Sequence, residues 1–202
     1  MKILKWLIGL IFLLFLLSTP SWAETQKPIR VVTVTALIDG ADEPSKVSKY
    51  FRDTFYTVSK IFRQEFNIEL KLVGFNTGTW FPSDENFDGD AELRRLFDFR
   101  TTSDLVVAFT TKKFFSNGEL EIDGEKTSAR IQSGGLAFIL GNYAIVRLQE
   151  KSELIFLHEL GHIFGADHSP DLNSVMNIVA VSIAAFDKKS KEIILANRNR
   201  KF

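Results

Sequence analysis

The chain has 202 residues, 25 basic and 25 acidic side chains, 45% hydrophobic residues and no cysteine. Balanced charge without a long basic run argues against nucleic acid as a partner, and the lack of cysteine excludes disulfides, a lipidated cysteine and any thiolate metal site. The length suits one domain with a full core and is too short for two comfortable ones.

Met1 to Lys5 is a short basic start, Trp6 to Leu17 is apolar apart from Gly9, and Ser21-Trp22-Ala23 is a small-x-small site. These are the three regions of a secretory signal. The apolar run is shorter than the roughly 20 residues that span a hydrocarbon core. We expect cleavage after Ala23, a signal over 1–23 and one domain over 24–202. Both this reading and its alternative, an uncleaved N-terminal anchor, export the protein, either secreted or periplasmic; the cleaved chain has no membrane span and is expected to be a monomer.

Ile29 to Leu37 is rich in β-branched residues and reads as a first strand. Asp42-Glu43-Pro44 looks like a helix start, and Val47, Phe51, Phe55, Val58, Phe62 and Phe66 recur at helical spacing, predicting a long amphipathic helix over 45–66 whose aromatic stripe is core. Ile68 to Val73 reads as a second strand, Pro82 to Asp90 as an acidic loop with Asp90 capping a short helix over 91–97, and Leu105 to Thr110 as a buried third strand. Trp80 and Phe81 are expected in core or loop packing. Asn117-Gly118 and Asp123-Gly124 mark turns. Gly134-Gly135 opens the stretch 136–140, Gly141-Asn142 turns the chain, and Tyr143 to Leu148 is another strand. A helix over 150–164 and a closing helix within 182–199 complete an α/β (α+β) domain with one mixed sheet.

The segment His158-Glu159-Leu160-Gly161-His162-Ile163-Phe164-Gly165-Ala166-Asp167-His168 holds all three histidines of the protein. His158 and His162, at i and i+4, share one helical face, so both imidazoles can reach one metal ion. Glu159 sits beside them, where its carboxylate can touch a water on the metal without being a ligand. Gly165 can take φ > 0, end the helix and swing His168 back to a third ligand position. Three nitrogens leave one tetrahedral site open, the arrangement of catalytic zinc. Zinc, one ion per chain, is therefore the expected cofactor. The plain alternative is an ordinary helix with Leu160, Ile163 and Phe164 buried and the histidines as polar surface.

His158 to His168 matches the H-E-x-x-H-x-x-G-x-x-H signature, and the chain resembles the metzincin zinc metalloproteases. Ser174-Val175-Met176-Asn177 resembles the methionine turn that underlies the zinc in that clan, and Ser169 after the third histidine is similar to the matrixin branch. The resemblance implies a metzincin-like zincin domain: a mostly parallel mixed sheet, a long N-terminal helix, an active-site helix and a C-terminal helix. It further implies that the strand upstream of the active helix, Gly134 to Leu140, is a sheet edge that pairs with the substrate; an internal strand carries equal weight. The chain departs from relatives in the clan by lacking a cysteine propeptide, histidines for a second zinc, a tyrosine two residues after Met176 (Ile178 stands there) and the added cysteines of archaemetzincins. A minimal matrixin-like domain is the expectation.

Asp84 to Asp90 resembles the first half of an EF-hand loop, but Arg95 stands where a bidentate carboxylate is needed, so calcium is disfavoured. The function expected is a zinc endopeptidase acting on an extended protein or peptide, with Glu159 as catalytic base and His158, His162 and His168 as metal ligands. Two rivals stand beside it: a non-catalytic zinc-binding interaction domain, which would not need Glu159, and a zinc hydrolase of non-peptide amides. Asp167 and Asn177 lie near the site in sequence and receive no role.

Overall fold

The structure is a computed structural model and describes residues 28–202 apart from 40–43, 84–85, 100, 123–124 and 179–182. The expected signal over 1–23, the expected helix start at Asp42-Glu43, the Asp84-Glu85 part of the expected acidic loop and the expected turn at Asp123-Gly124 therefore lie outside the described residues.

Strand β1 (Arg30–Asp39) runs into helix α1 (Pro44–Phe66), which returns the chain to strand β2 (Ile68–Gly78). Next come β3 (Asn86–Asp88), α2 (Gly89–Arg95) with a 3-10 turn at Leu96–Asp98, and β4 (Leu105–Thr110). A hairpin of β5 (Lys113–Ile122) and β6 (Glu125–Ser133) precedes β7 (Gly135–Ala137) and β8 (Tyr143–Arg147). Helices α3 (Ser152–Ile163) and α4 (Lys188–Ala196) follow. The main sheet has the order β2-β1-β4-β8-β7, parallel throughout except for β7, which pairs antiparallel with β8. This is the expected mixed, mostly parallel sheet with four helices.

The central strands read as nearly continuous apolar runs because both faces of the sheet are covered. Val34, Ala36 and Ile38 of β1, Leu105, Val107 and Phe109 of β4, and Ala144 and Val146 of β8 face the helices. Leu37, Val106, Ala108 and Ile145 face a second, smaller core containing Phe81, Phe87, Leu93 and Phe114. The aromatic stripe of α1 is core as expected: Phe51 lies 5.0 Å from Phe109, and Phe62 5.7 Å from Phe164. These ring contacts seat α1 against both the sheet and the end of α3. Phe81 is buried and Trp80 packs on the smaller core, again as expected.

Three local expectations change. A second sheet of order β3-β5-β6 stands beside the main one. Asn117-Gly118 is no turn: it lies inside β5, paired with Arg130 and Ala129 of β6. The physical reason is that Asp90 accepts from the Asn117 backbone N–H (2.8 Å) and Nδ2 (3.3 Å), holding the residue in an extended strand. That use of Asp90 leaves the cap of α2 to Asp88, whose carboxylate accepts from the Ala91 N–H at 3.1 Å. Strand β7 is an edge of the main sheet, which resolves the two readings of that segment in favour of an edge. Among the described residues no helix is long and apolar enough to cross a membrane.

Candidate metal centre

Helix α3 is apolar on nearly every side, with Leu154, Phe156, Leu157, Leu160 and Ile163 buried. Such a helix belongs inside the protein rather than on its surface. It lies between α1 and the sheet on one side and the segment around Met176 on the other, so polar groups on its remaining face are buried too: His158, Glu159 and His162 are 8%, 4% and 6% exposed. This overturns the plain alternative of surface histidines for His158 and His162, whereas His168 is exposed. Gly165 ends the helix with φ +91°. The Gly165 N–H bonds to His162 O (2.8 Å) and the Ala166 N–H to Gly161 O (2.9 Å), a Schellman closure that only a left-handed residue permits without strain. The reversal brings His168 back across the end of the helix.

The three imidazoles converge. His162 Nε2 stands 3.1 Å from His158 Nε2 and 3.2 Å from His168 Nε2, and the three candidate ligand atoms lie within 4.8 Å of one another. Tautomers follow from the other ring nitrogens: His158 Nδ1 donates to Val175 O and His162 Nδ1 to Ala166 O, both at 2.8 Å. With Nδ1 carrying the proton, His158 and His162 turn two Nε2 lone pairs on each other, and no hydrogen bond can form between those two. Protonation does not relieve them either. Burial, together with the neighbouring histidines, lowers the His158 pKa to about 4; burial lowers His162 and His168 as well, against the raising effects of the Ala166 carbonyl and Asp167. A cation resolves such an array. A tetrahedral ion with Zn–N of about 2.0–2.1 Å sets its nitrogens about 3.3 Å apart, close to the separations found. The donor set fits zinc.

Glu159 takes no part in the nitrogen cluster. Its side chain is walled by the backbone of Gly135 at the start of edge strand β7, and burial pushes its carboxyl well above the usual carboxylate range. Met176 is fully buried, and its thioether packs against Gly161, where a Cβ would lie 2.9 Å from Met176 Cε and closer still to the sulfur. A helix-interior glycine costs about 1 kcal/mol relative to alanine, so Gly161 within the motif was a readable sign of close packing.

The segment carrying His168 and the one carrying Met176 are sewn together. Ser169 N–H bonds to Met176 O (2.9 Å), and Asn177 Nδ2 donates to Ser169 O (3.0 Å). Asp167 accepts from the His168 N–H at 2.7 Å. Asp167 and Asn177 thus shape the turn around the third histidine. Sequence reasoning missed the carbonyls of Val175 and Ala166, because a main-chain acceptor has no sequence signature. It also missed Asp187, whose carboxylate holds Ser174 Oγ (2.7 Å) as well as capping α4 through the Ser190 N–H (3.0 Å).

A family model of the reprolysin type, described as metallo-peptidase family M12, matches residues 32–191. No curated protein matches the chain. Among solved structures, archaemetzincin from Methanopyrus kandleri superposes with TM-score 0.63 at 19% identity, over 84% of this chain and 96% of that one. A chain from the structure of a chaperone–substrate complex superposes with TM-score 0.57 at 12% identity, over 83% of this chain and 34% of that one. At these identities the superpositions show the fold, a metzincin-like zincin domain.

Proposed function

Because the chain belongs to metallo-peptidase family M12, we propose that it is a zinc-dependent endopeptidase cleaving an extended polypeptide. The observation that carries the reading is the trio of converging Nε2 atoms with a buried carboxylate beside them that is not one of the trio. His158, His162 and His168 would hold one zinc ion, and all three come from a single chain, so a monomer suffices. Bound there, zinc would supply a Lewis acid that acidifies a water molecule and polarises a carbonyl.

Glu159 is the base in this scheme. It takes a proton from the attacking water and delivers it to the leaving amine, so one carboxylate serves both halves of the hydrolysis. Burial raises its proton affinity above that of a solvated carboxylate, and a cation bound beside it would oppose that rise, leaving it ionised to receive the proton. Val175 O and Ala166 O fix the ring orientations and tautomers of His158 and His162, leaving Nε2 free to coordinate. Met176 forms the floor beneath the histidines, and Gly165 makes the reversal that delivers His168. Edge strand β7 has one open side beside Glu159, to which an extended peptide can add as a further strand, taking the place of the Ser133 hydroxyl on the Gly135 carbonyl. Finer likeness to the matrixin branch rests on Ala166-Asp167-His168-Ser169 alone.

Export completes the proposal: residues 1–23 act as a cleaved signal, supported by Lys2, Lys5, the apolar run and Ser21-Trp22-Ala23. The test of function is a cleavage profile of mature protein on a random peptide library, with and without a chelator, beside Glu159→Gln. Chelator-sensitive cleavage that Glu159→Gln loses is the expected result. A zinc-loaded wild type that cleaves no member of the library would replace the endopeptidase with a binding domain or a hydrolase of other amides.

A further inference from the structure

Two consecutive glycines, Gly134 and Gly135, lead into the edge strand at the point where it crosses α3. A Cβ built on Gly135 would lie 2.7 Å from Glu159 Cγ and 2.6 Å from Ile155 Cγ2, and closest of all to Glu159 Oε1. Real Cβ atoms do not approach other heavy atoms so closely, so the missing side chain is what lets the strand backbone lie flush on Glu159 and Ile155, one helical turn apart on α3. Gly134 differs. The atoms nearest its Cβ would be those of Ile155, with Cδ1, the far end of a flexible side chain, at 2.9 Å.

We propose that Gly135 is a positioning residue for Glu159: its bare backbone forms the wall that sets where the carboxylate sits. The claim rests on the peptidase reading for its catalytic meaning but not for the contact itself. Three consequences follow from the geometry. Rotation of the Glu159 side chain toward the sheet is blocked by main chain, which does not yield as a side-chain tip would. Glu159 Oε1 lies against the Gly135 backbone, so the strand sets the limit of the carboxylate's travel in that direction. The same wall is the substrate-binding edge in the proposed function, so base and peptide share one reference surface. A shift of the strand would move both together and preserve their spacing.

The test has two arms. In the kinetic arm, Gly135→Ala pushes the carboxylate off its position; kcat is expected to fall about 10²-fold, the cost of misplacing a catalytic group by about 1 Å. Zinc content is expected to stay near wild type, since the nitrogens are not altered, and kcat is read at saturating peptide so that any weakening of peptide binding through the same strand does not enter. Wild-type kcat in zinc-loaded Gly135→Ala overturns the proposal. The second arm needs no activity: a double-mutant cycle in denaturant stability between Gly135→Ala and Glu159→Ala, on the metal-free chain. Removing the Glu159 side chain is expected to relieve much of the damage done by Gly135→Ala, and to rescue folding if the single variant does not fold. Gly134→Ala, run in parallel, is expected to show no coupling to Glu159→Ala. Equal destabilisation by Gly135→Ala with and without the Glu159 side chain overturns the contact. If the wild type cleaves nothing, the peptidase reading fails while the cycle still decides the Gly135–Glu159 relationship.

Discussion

His158 donates from Nδ1 to the main-chain carbonyl of Val175 at 2.8 Å, so a histidine on α3 is aimed by the residue immediately before Met176. That carbonyl is itself held in place. Val175 N–H bonds to Ala185 O (2.6 Å), Met176 N–H to Ser174 Oγ (3.1 Å), and Ser174 Oγ donates to Asp187 Oδ2 (2.7 Å). A chain of hydrogen bonds thus runs from the cap of the last helix to the ring of a proposed ligand.

Breaking that chain at Ser174 should loosen the metal without touching a ligand. Ser174→Ala removes the hydroxyl that joins Met176 N–H to Asp187. Zinc affinity is expected to fall about 10–100-fold, the usual cost of losing an outer partner of a metal-binding histidine. Competition with a chromophoric chelator measures it; unchanged affinity would detach the Met176 turn from the site.

Asp187 carries a pH dependence of known sign. Burial acts to raise its pKa, but hydrogen bonds from Ser174, the Ser190 N–H and hydroxyl, and Ser169 outweigh burial and hold the carboxyl below the usual carboxylate range. The folded pKa is therefore below the unfolded value of 3.8. The resulting stability is present above that value and is lost as the pH falls through the folded one. Asp187→Asn is expected to lower stability at neutral pH by about 1 kcal/mol and to flatten the acid limb of the stability curve, as read by urea titrations at stepped pH.

Glu159→Gln and His162→Ala should separate two roles. The first is expected to keep zinc and fold while peptidase activity falls by roughly 10²–10⁴, the range for a positioned base. The second should lose zinc together with activity. In the metal-free protein the raised Glu159 pKa adds a further sign: its contribution to stability is fully present below the unfolded value of 4.5 and declines as the pH climbs toward the folded one. Glu159→Gln should not show this decline. Equal pH dependence in both proteins would mean that the carboxyl is not buried as described.

Zinc should be retained well into acid. Protons compete for ligand nitrogens only near their pKa values, and these lie below the ordinary 6.5, with His158 at about 4. Dialysis at stepped pH followed by elemental analysis is expected to show one zinc per chain persisting at pH 6.5 and lost only below it. Loss centred at the ordinary histidine value would mean that burial does not lower the proton affinity of the ligand nitrogens.

Gly161→Ala should be destabilising although alanine favours helices. The added methyl meets Met176 and lies 3.2 Å from Phe186 Cε1. Overpacking costs about 1–3 kcal/mol, which exceeds the helix-propensity gain of about 1 kcal/mol. A thermal melt with no decrease would show that Met176 repacks freely.

What the sequence determined by itself was the local chemistry and the periodic elements. Spacing of i and i+4 within a helix fixes that His158 and His162 share a face, and Gly165 fixes where the helix can end, because both are properties of consecutive backbone. The phenylalanine stripe of α1 and the apolar runs of β1, β4 and β8 were legible for the same reason: burial on one or both sides imposes a period. Tertiary structure decided the rest. Asn117-Gly118 has turn chemistry, yet it sits in a strand because Asp90, 27 residues earlier, holds its N–H. Edge or interior status for Gly135 to Ala137 depends on which strand lies beside it, and no local pattern encodes a neighbour. The aim of the histidines depends on carbonyls that any residue would possess, and the seat of Glu159 on a backbone that only the approach of β7 to α3 brings within reach. Side-chain identity told which groups could meet a metal; main-chain positions, set by long-range packing, decided where those groups point.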